Sequence, residues 1–338
     1  MTDTDQKLIE TFDARAERRN DRREFFKAAL GAAAVAGAGA AAISFGSAVS
    51  AQTAPTDVDV LNFALNLEYL EAQFYLYALN GTGLTAADTD GYLTSGGTLT
   101  AGTVPTAAQA GQKVDFTGET AIGNYAREIA ADELAHVRFL RTALGAGRVP
   151  APAIDVSPAA FQKAAVAAGV PGGSTFNPYS SPDAFLLGAF IFEDVGVTAY
   201  KGAAPLLTNK TYLEAAAGIL AVEAYHASIV RTALYARGTA APAKQLIEAT
   251  ELISNLRDTL DGNPTLDLIR GIGPDDDQGV QASTTSTGLT SNIVPLNSNG
   301  LAYSRTTGQV LNIVYGNTTT PSGLFFPNGV NGTLKANA

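Results

Sequence analysis

The sequence predicts an all-α fold, a four-helix bundle followed by a fifth helix and an irregular extension. Three observations support this prediction. Four long segments carry apolar residues at helical spacing, and a glutamate interrupts each of these apolar stripes. The two histidines of the chain, His136 and His226, each follow a glutamate by three residues.

Composition narrows the chemistry open to the 338-residue chain. A formal net charge of −10 argues against a nucleic-acid partner, whose phosphates require clustered Lys and Arg. The chain has no cysteine, which excludes disulfides, thiolate metal sites and thiol catalysis. Carboxylate and imidazole groups remain as metal ligands, and they suit iron, manganese or zinc.

Residues 1–51 are predicted to be a signal peptide. Arg22 and Arg23 precede an apolar run rich in Ala and Gly, and small residues up to Ala51 offer a cleavage point. This pattern resembles a twin-arginine export signal, so we expect a periplasmic or extracellular protein. The alternative is an uncleaved membrane anchor, since about twenty apolar residues can just span a bilayer. Contact with a membrane is expected only through this segment.

The first predicted helix pair comprises residues 57–80 and 117–145. Thr56 or Asp57 caps the first helix, and glycines end the second. The stripe of helix one is Leu61, Leu65, Glu68, Ala72, Tyr75 and Leu79, and that of helix two is Ile122, Ala126, Ile129, Glu133, His136 and Leu140. The Gly, Thr and Ser-rich insertion 81–117 between them is predicted to be a long connection with short strands.

The second predicted pair comprises residues 181–205 and 209–237. Ser181 caps helix three, Pro182 is its first residue, and Gly238 ends helix four. The stripe of helix three is Leu186, Ala189, Glu193, Val197 and Tyr200, and that of helix four is Ile219, Glu223, His226, Val230 and Leu234. The insertion 148–181 before this pair is expected to hold a short helix near 158–168.

A fifth amphipathic helix at 242–261 completes the predicted domain 57–261 and is expected to pack outside the bundle. Residues 262–338 are rich in Gly, Asn, Thr and Ser, and we expect an ordered extension laid over the bundle. Three apolar runs in it are interpreted as short strands or apolar anchors: 293–294, 310–315 and 324–326.

The bundle helices form an internal repeat. Helices one and three each carry a glutamate seven residues before a tyrosine, and helices two and four each carry Glu-x-x-His. The residues are Glu68 and Tyr75, Glu193 and Tyr200, Glu133 and His136, and Glu223 and His226. Residues three apart share one helix face. Four carboxylates and two imidazoles match the ligand count of a dinuclear metal site inside a bundle.

The alternative is that each glutamate lies on the surface and each histidine is an ordinary hydrogen-bonded core residue. Burial of four ionised carboxylates in one core without compensating charges would cost on the order of several kcal/mol for each carboxylate. Two divalent cations cancel four negative charges, so a dinuclear site is the favoured hypothesis.

Residues 57–237 resemble the ferritin-like superfamily. The run from Asn66 to Tyr75 and the Phe-Phe-Pro-Asn-Gly stretch at 325–329 resemble its exported members that are called desiccation-related. The resemblance implies two divalent metal ions, iron or manganese. It also implies the ligands Glu68, Glu133, His136, Glu193, Glu223 and His226, with Glu133 and Glu223 tending to bridge the metals.

Three further residues lie beside the predicted ligands. Glu71 is three residues from Glu68, but its counterpart in the repeat is Gly196, which favours Glu68 as the ligand. Glu71 is then a surface carboxylate or one that lies behind the ligands. Tyr75 and Tyr200 are candidates for hydrogen bonds to ligand carboxylates or for electron relay, and otherwise are buried aromatics with one satisfied hydroxyl.

The expected activity is reaction with dioxygen or peroxide, as a ferroxidase, a peroxidase or a catalase-like enzyme, in protection against oxidative or desiccation stress. The alternative is a non-enzymatic protective protein whose metal only stabilises the bundle. Iron storage in a hollow shell is disfavoured, because the insertions and the extension would crowd the contacts of a cage. The choice of iron or manganese and assembly into a homo-oligomer stay open.

Overall fold

A computed structural model describes residues 54–93, 97–262, 277–285, 288–296 and 299–337. The predicted signal peptide and residues 263–276 of the predicted extension lie outside these ranges. Within them the chain is mostly helical, with eight α-helices and two short antiparallel β-hairpins. The predicted all-α class is confirmed.

The helices are α1 (Asp57–Asn80), α2 (Ala86–Thr89), α3 (Thr120–Leu144), α4 (Pro158–Ala167), α5 (Pro182–Ala203), α6 (Lys210–Ala240), α7 (Leu246–Asp261) and α8 (Thr307–Tyr315). Strand β1 (Gly91–Tyr92) pairs with β2 (Leu99–Thr100), and β3 (Ser283–Thr285) pairs with β4 (Gly288–Thr290). In the bundle α1 packs along α3 and α5 along α6, and α1 and α5 join the two pairs.

The first bundle helix has the predicted bounds. Thr56 and Asp59 form a reciprocal capping box at its start, and Gly81 ends it in the left-handed region with φ 75°. Helix α3 begins at Thr120 rather than at residue 117.

The predicted end of α6 at Gly238 is wrong, because the helix continues to Ala240. A Cβ atom at position 238 would lie 2.7 Å from Cγ1 of Ile247. The glycine therefore permits close packing of α7 instead of ending the helix. By length and composition, α6 is the one helix within the described ranges that could cross a membrane, and here it is a bundle helix.

The predicted start of the fifth helix at residue 242 is also wrong. Residues 242–244 form a 3-10 turn, Gln245 has a φ of 52°, and α7 begins at Leu246. The helix packs on the outside against α5, α6 and α8, as predicted.

The apolar run 310–315 forms a helix, so its interpretation as a strand is wrong. Thr306 and Gln309 build a capping box at the start of α8, and Gly316 ends the helix in the left-handed region. Every residue from 309 to 315 is buried, so the run acts as an apolar anchor. A short apolar run cannot be assigned to strand or helix by periodicity alone.

The C-terminal part of the chain covers the two central helices. The Phe325 ring lies 4.9 Å from that of Phe192 on α5, between ring centroids. Asn331 exchanges two hydrogen bonds with the buried Asn66 of α1, at 2.8 and 3.0 Å. As a result, α1 and α5 are buried on nearly all sides, which keeps solvent away from the glutamates they carry.

Three buried arginines attach this covering segment to the bundle. Arg257 of α7 and Arg305 both donate to Asp277, at 2.7 and 2.5 Å. Arg231 of α6 donates to Asp194 of α5 at 2.8 Å and to the carbonyl oxygen of Gly279 at 2.7 Å. Further bonds run from Arg257 to Asp194 and from Arg305 to Asp261. Burial opposes ionisation of Asp277, but the charges of Arg257 and Arg305 lower its pKa.

Replacing Asp277 by asparagine should strongly destabilise the protein. The change removes one negative charge and leaves Arg257 and Arg305 buried with less compensation, which costs about 3–5 kcal/mol when a buried pair is broken. Urea denaturation followed by circular dichroism measures the loss. The matched control is Asp115→Asn at an exposed carboxylate, which should leave the midpoint nearly unchanged. Equal shifts in the two variants would contradict the prediction.

Candidate metal centre

The helices bring the six predicted ligands together in two overlapping groups. In each group one ligand atom from every residue lies within 4.8 Å of the others. The groups are Glu68, Glu133, His136 and Glu223, and Glu133, Glu193, Glu223 and His226. All six residues are buried, and Glu133 and Glu223 belong to both groups. These clusters could hold metal ions.

Both imidazoles point their Nδ1 atoms into the cluster. Nδ1 of His136 lies 3.2 Å from Oε2 of Glu68 and 3.6 Å from Oε1 of Glu223. Nδ1 of His226 lies 3.0 Å from Oε1 of Glu133 and 3.6 Å from Oε2 of Glu193. The Glu-x-x-His spacing on α3 and α6 thus aims two rings at one point, with centroids 6.3 Å apart.

Two buried tyrosines cross between the helix pairs. Tyr75 of α1 donates to Oε1 of Glu193 on α5, and Tyr200 of α5 donates to Oε1 of Glu68 on α1. The predicted hydrogen bonds from Tyr75 and Tyr200 to these carboxylates are therefore present, and the electron relay stays a prediction. Each bond occupies one oxygen and leaves the other facing the cluster.

Most buried side-chain atoms without a partner, within the described ranges, belong to this cluster. They are Oε2 of Glu68, both oxygens of Glu133, Nδ1 of His136, Oε2 of Glu193, both oxygens of Glu223 and Nδ1 of His226. An unsatisfied buried polar group costs about 1–3 kcal/mol, and more when it is charged. Atoms of this kind aimed at one another fit the donor set of bound cations.

Protons and imidazolium charge stabilise the cluster when no cation is bound. Burial raises the pKa of Glu68 to about 7 and that of Glu193 to about 8. Burial also opposes ionisation of Glu133, but its close contacts with the His136 and His226 rings lower its pKa to about 2. Burial disfavours both imidazolium ions, yet the glutamates in contact with each ring raise the pKa of His136 to about 11 and that of His226 to about 9.

Glu71 is a fifth carboxyl group beside the cluster. Its residue is only 4% exposed, so the alternative of a surface carboxylate is wrong. Burial, followed by the charges of Glu133, Glu68 and Glu193, raises its pKa well above the ordinary value. A Cβ atom at Gly196 would lie 2.3 Å from Oε2 of Glu223 and 3.3 Å from Oε1 of Glu71. The glycine leaves the space that these two carboxyl groups use.

Asp132 is a residue of the site that the sequence analysis missed. Its Oδ2 atom lies 3.1 Å from Nε2 of His226, on the side of the ring that faces away from the cluster. The side chain is 43% exposed, and it lies outside the apolar stripe of α3. Its position in the sequence, directly before Glu133, could have indicated this role. A residue next to an inward-facing one on a helix points towards a neighbouring helix.

The metal-free protein should lose thermal stability as pH rises from about 6.5 to 9. Glu68, Glu193 and both histidines have raised pKa values in the folded state, so the folded state holds more protons in this window than the unfolded chain. Stability therefore falls with increasing pH. Thermal melts in a chelator measure the slope, and Glu68→Gln with Glu193→Gln should flatten it. A melting temperature that is constant or rises would contradict the prediction.

Gly196→Ala should destabilise the protein by about 1–3 kcal/mol, the range found when a well-packed core is overfilled. The new methyl group would lie 2.3 Å from Oε2 of Glu223 and displace its carboxylate. The matched control is Gly218→Ala, an exposed glycine within α6 whose Cβ position has no atom within 4 Å. It should gain up to about 1 kcal/mol of stability from helix propensity. Urea denaturation measures both changes, and a Gly196→Ala variant as stable as the control would contradict the assigned packing.

Comparison with known proteins agrees with this architecture. The model of the family described as "Ferritin-like domain" matches residues 56–236. The chain is 31% identical over 284 residues to the ferritin-like catalase Nec2 of Nesocodon mauritianus, which covers 82% of this chain and 84% of that protein. It is also 31% identical over 255 residues to the desiccation-related protein PCC13-62 of Craterostigma plantagineum. That alignment covers 74% of this chain and 75% of the relative.

The matched region holds α1, α3 and α5 and most of α6, the helices that carry the two buried clusters. The two relatives align along most of their own length, and their names agree with the resemblance predicted from the sequence. The chain belongs to the ferritin-like domain family.

Proposed function

We propose that the protein binds two divalent metal ions, iron or manganese, and uses them to decompose hydrogen peroxide. The observation that carries this proposal is the pattern of unpartnered atoms on four glutamates and two histidines, all aimed at one buried space. Hard carboxylate ligands accept either metal, so the donor set does not choose between them.

The unpartnered atoms also support a role for each ligand. Glu133 and Glu223 have both oxygens without partners and belong to both groups, as bridging carboxylates require. Glu68 and Glu193 each have one such oxygen, because a tyrosine occupies the other. We assign Glu68 with His136 to one ion and Glu193 with His226 to the other.

A redox-active metal pair held by these residues would supply the two-electron exchange that none of the six side chains can perform. In peroxide decomposition, one molecule is oxidised to dioxygen and releases two electrons and two protons, and a second takes them up to form two waters. The side chain of His136 is 11% exposed and that of His226 is 2% exposed. A small oxidant would therefore reach the centre from the side of His136.

The relative named as a ferritin-like catalase supports peroxide as the substrate. The relative named as desiccation-related favours a second candidate function, in which the bound metal only stabilises a protective protein. The two candidates differ in whether the loaded protein consumes oxidant. Ferroxidase and peroxidase activity would use the same centre.

We also propose export of the protein by the twin-arginine route to the periplasm or beyond. The paired arginines Arg22 and Arg23 before an apolar run support this proposal. That route carries folded proteins, which suits a buried metal centre that is filled before export. Disruption of both arginines should retain the protein in the cytoplasm, as cell fractionation would measure.

The protein should contain about two metal ions per chain, as the ligand count requires. Glu133→Ala combined with Glu223→Ala should remove them, because both bridging carboxylates are lost. Elemental analysis measures the content. The matched control replaces Glu128 and Glu214, one exposed glutamate on each of the same helices, and should keep both ions. Unchanged metal content in the first variant would contradict the proposed centre.

The metal-loaded protein should release one dioxygen for every two hydrogen peroxide molecules consumed, as an oxygen electrode would show. The Glu133 and Glu223 double variant should lose this activity, and the Glu128 and Glu214 variant should keep it. Circular dichroism checks that both variants remain helical. A protein that binds two ions and leaves peroxide and Fe(II) unchanged would support the stabilising role instead.

A further inference from the structure

The internal repeat is broken at the residues behind the two histidines. Asp132 directly precedes Glu133 on α3, and the corresponding residue before Glu223 on α6 is Val222. Asp132 belongs to neither of the two buried groups described above. Its contact is with the imidazole that the opposite helix contributes. By the repeat, the residue that corresponds to Asp132 for His136 is Val222, which has an aliphatic side chain.

The two rings therefore have different surroundings on the side away from the cluster. Nε2 of His226 lies 3.1 Å from Oδ2 of Asp132, whereas Nε2 of His136 meets no carboxylate among the described residues. The side chain of His136 is also the more exposed, at 11% against 2%.

A carboxylate on the outer nitrogen has a known effect on a metal-binding histidine. It fixes the tautomer that leaves the inner nitrogen free, holds the ring in place and makes that nitrogen a better ligand. The inner nitrogens of both rings are Nδ1, since these atoms face the glutamates. Only the Nδ1 of His226 gains this support from a carboxylate within the described ranges.

We propose that the two metal positions are unequal, an inference that rests on the metal centre proposed above. The position at Glu193 and His226 fills first and holds its ion more tightly. The position at Glu68 and His136 fills second, is nearer to solvent and exchanges its ion more readily. Asp132 is a positioning residue that acts through His226.

The test is titration of the metal-free full-length protein with Mn(II), with free Mn(II) measured by electron paramagnetic resonance. The wild type should bind in two steps whose dissociation constants differ about tenfold or more. Asp132→Ala should weaken the first step about 10- to 100-fold and leave the second unchanged. Asp132→Asn keeps an acceptor and should give an intermediate loss. Glu128→Ala, an exposed acidic residue on the same helix, should change neither step.

The complementary variant is Val222→Asp, which puts a carboxylate at the position of α6 that corresponds to Asp132 in the repeat. This variant should lower the dissociation constant of the second binding step and reduce the difference between the two dissociation constants. The melting temperature of the metal-free Asp132→Ala variant should fall only slightly below that of the wild type, because an ion pair with a half-exposed partner contributes little stability.

The outcomes separate this inference from the proposed function. Failure of the wild type to bind Mn(II) or Fe(II) would contradict the metal centre itself. Two ions bound with equal affinity would leave the centre in place and overturn the inequality. An Asp132→Ala variant that shifts both steps equally, or neither, would also overturn it.

Discussion

The rest of the structure must offset the mutual repulsion among the buried carboxylates. Glu68, Glu133, Glu193 and Glu223 are each at most 1% exposed and point at one another. Without a cation, imidazolium charge, tyrosine hydroxyls and bound protons offset this repulsion. Cations would replace the protons, so metal binding in such a site is linked to proton release. One set of side chains thus has two charge-balanced states.

The two helix pairs complete each other at this site. Tyr75 and Tyr200 each bond a glutamate of the other pair, and the shared glutamates Glu133 and Glu223 come from α3 and α6. Neither helix pair alone supplies all six side chains of the two buried groups. The repeat is not exact at Gly196, whose counterpart in α1 is Glu71. A side chain at position 196 would occupy the space that Glu223 and Glu71 use.

Residues with a strict local spacing could be predicted from the sequence. Glu-x-x-His places both groups on one helix face whatever the surroundings, and the tyrosines follow from the same repeat. The remainder depends on tertiary contacts. Burial of Glu71 requires the cover over α1 and α5, and the role of Asp132 requires the neighbouring helix. The run 310–315 is too short for its period to separate helix from strand, and Gly238 looked like a helix end because packing against Ile247 leaves no local trace.

The paired hydrogen bonds between Asn66 and Asn331 join positions 265 residues apart. Helix α1 therefore gains these neighbours only after residue 331 has been synthesised. Until then the surface of α1 that carries Asn66 lacks this cover. An early helix of the bundle thus waits, partly uncovered, for a segment made much later in synthesis.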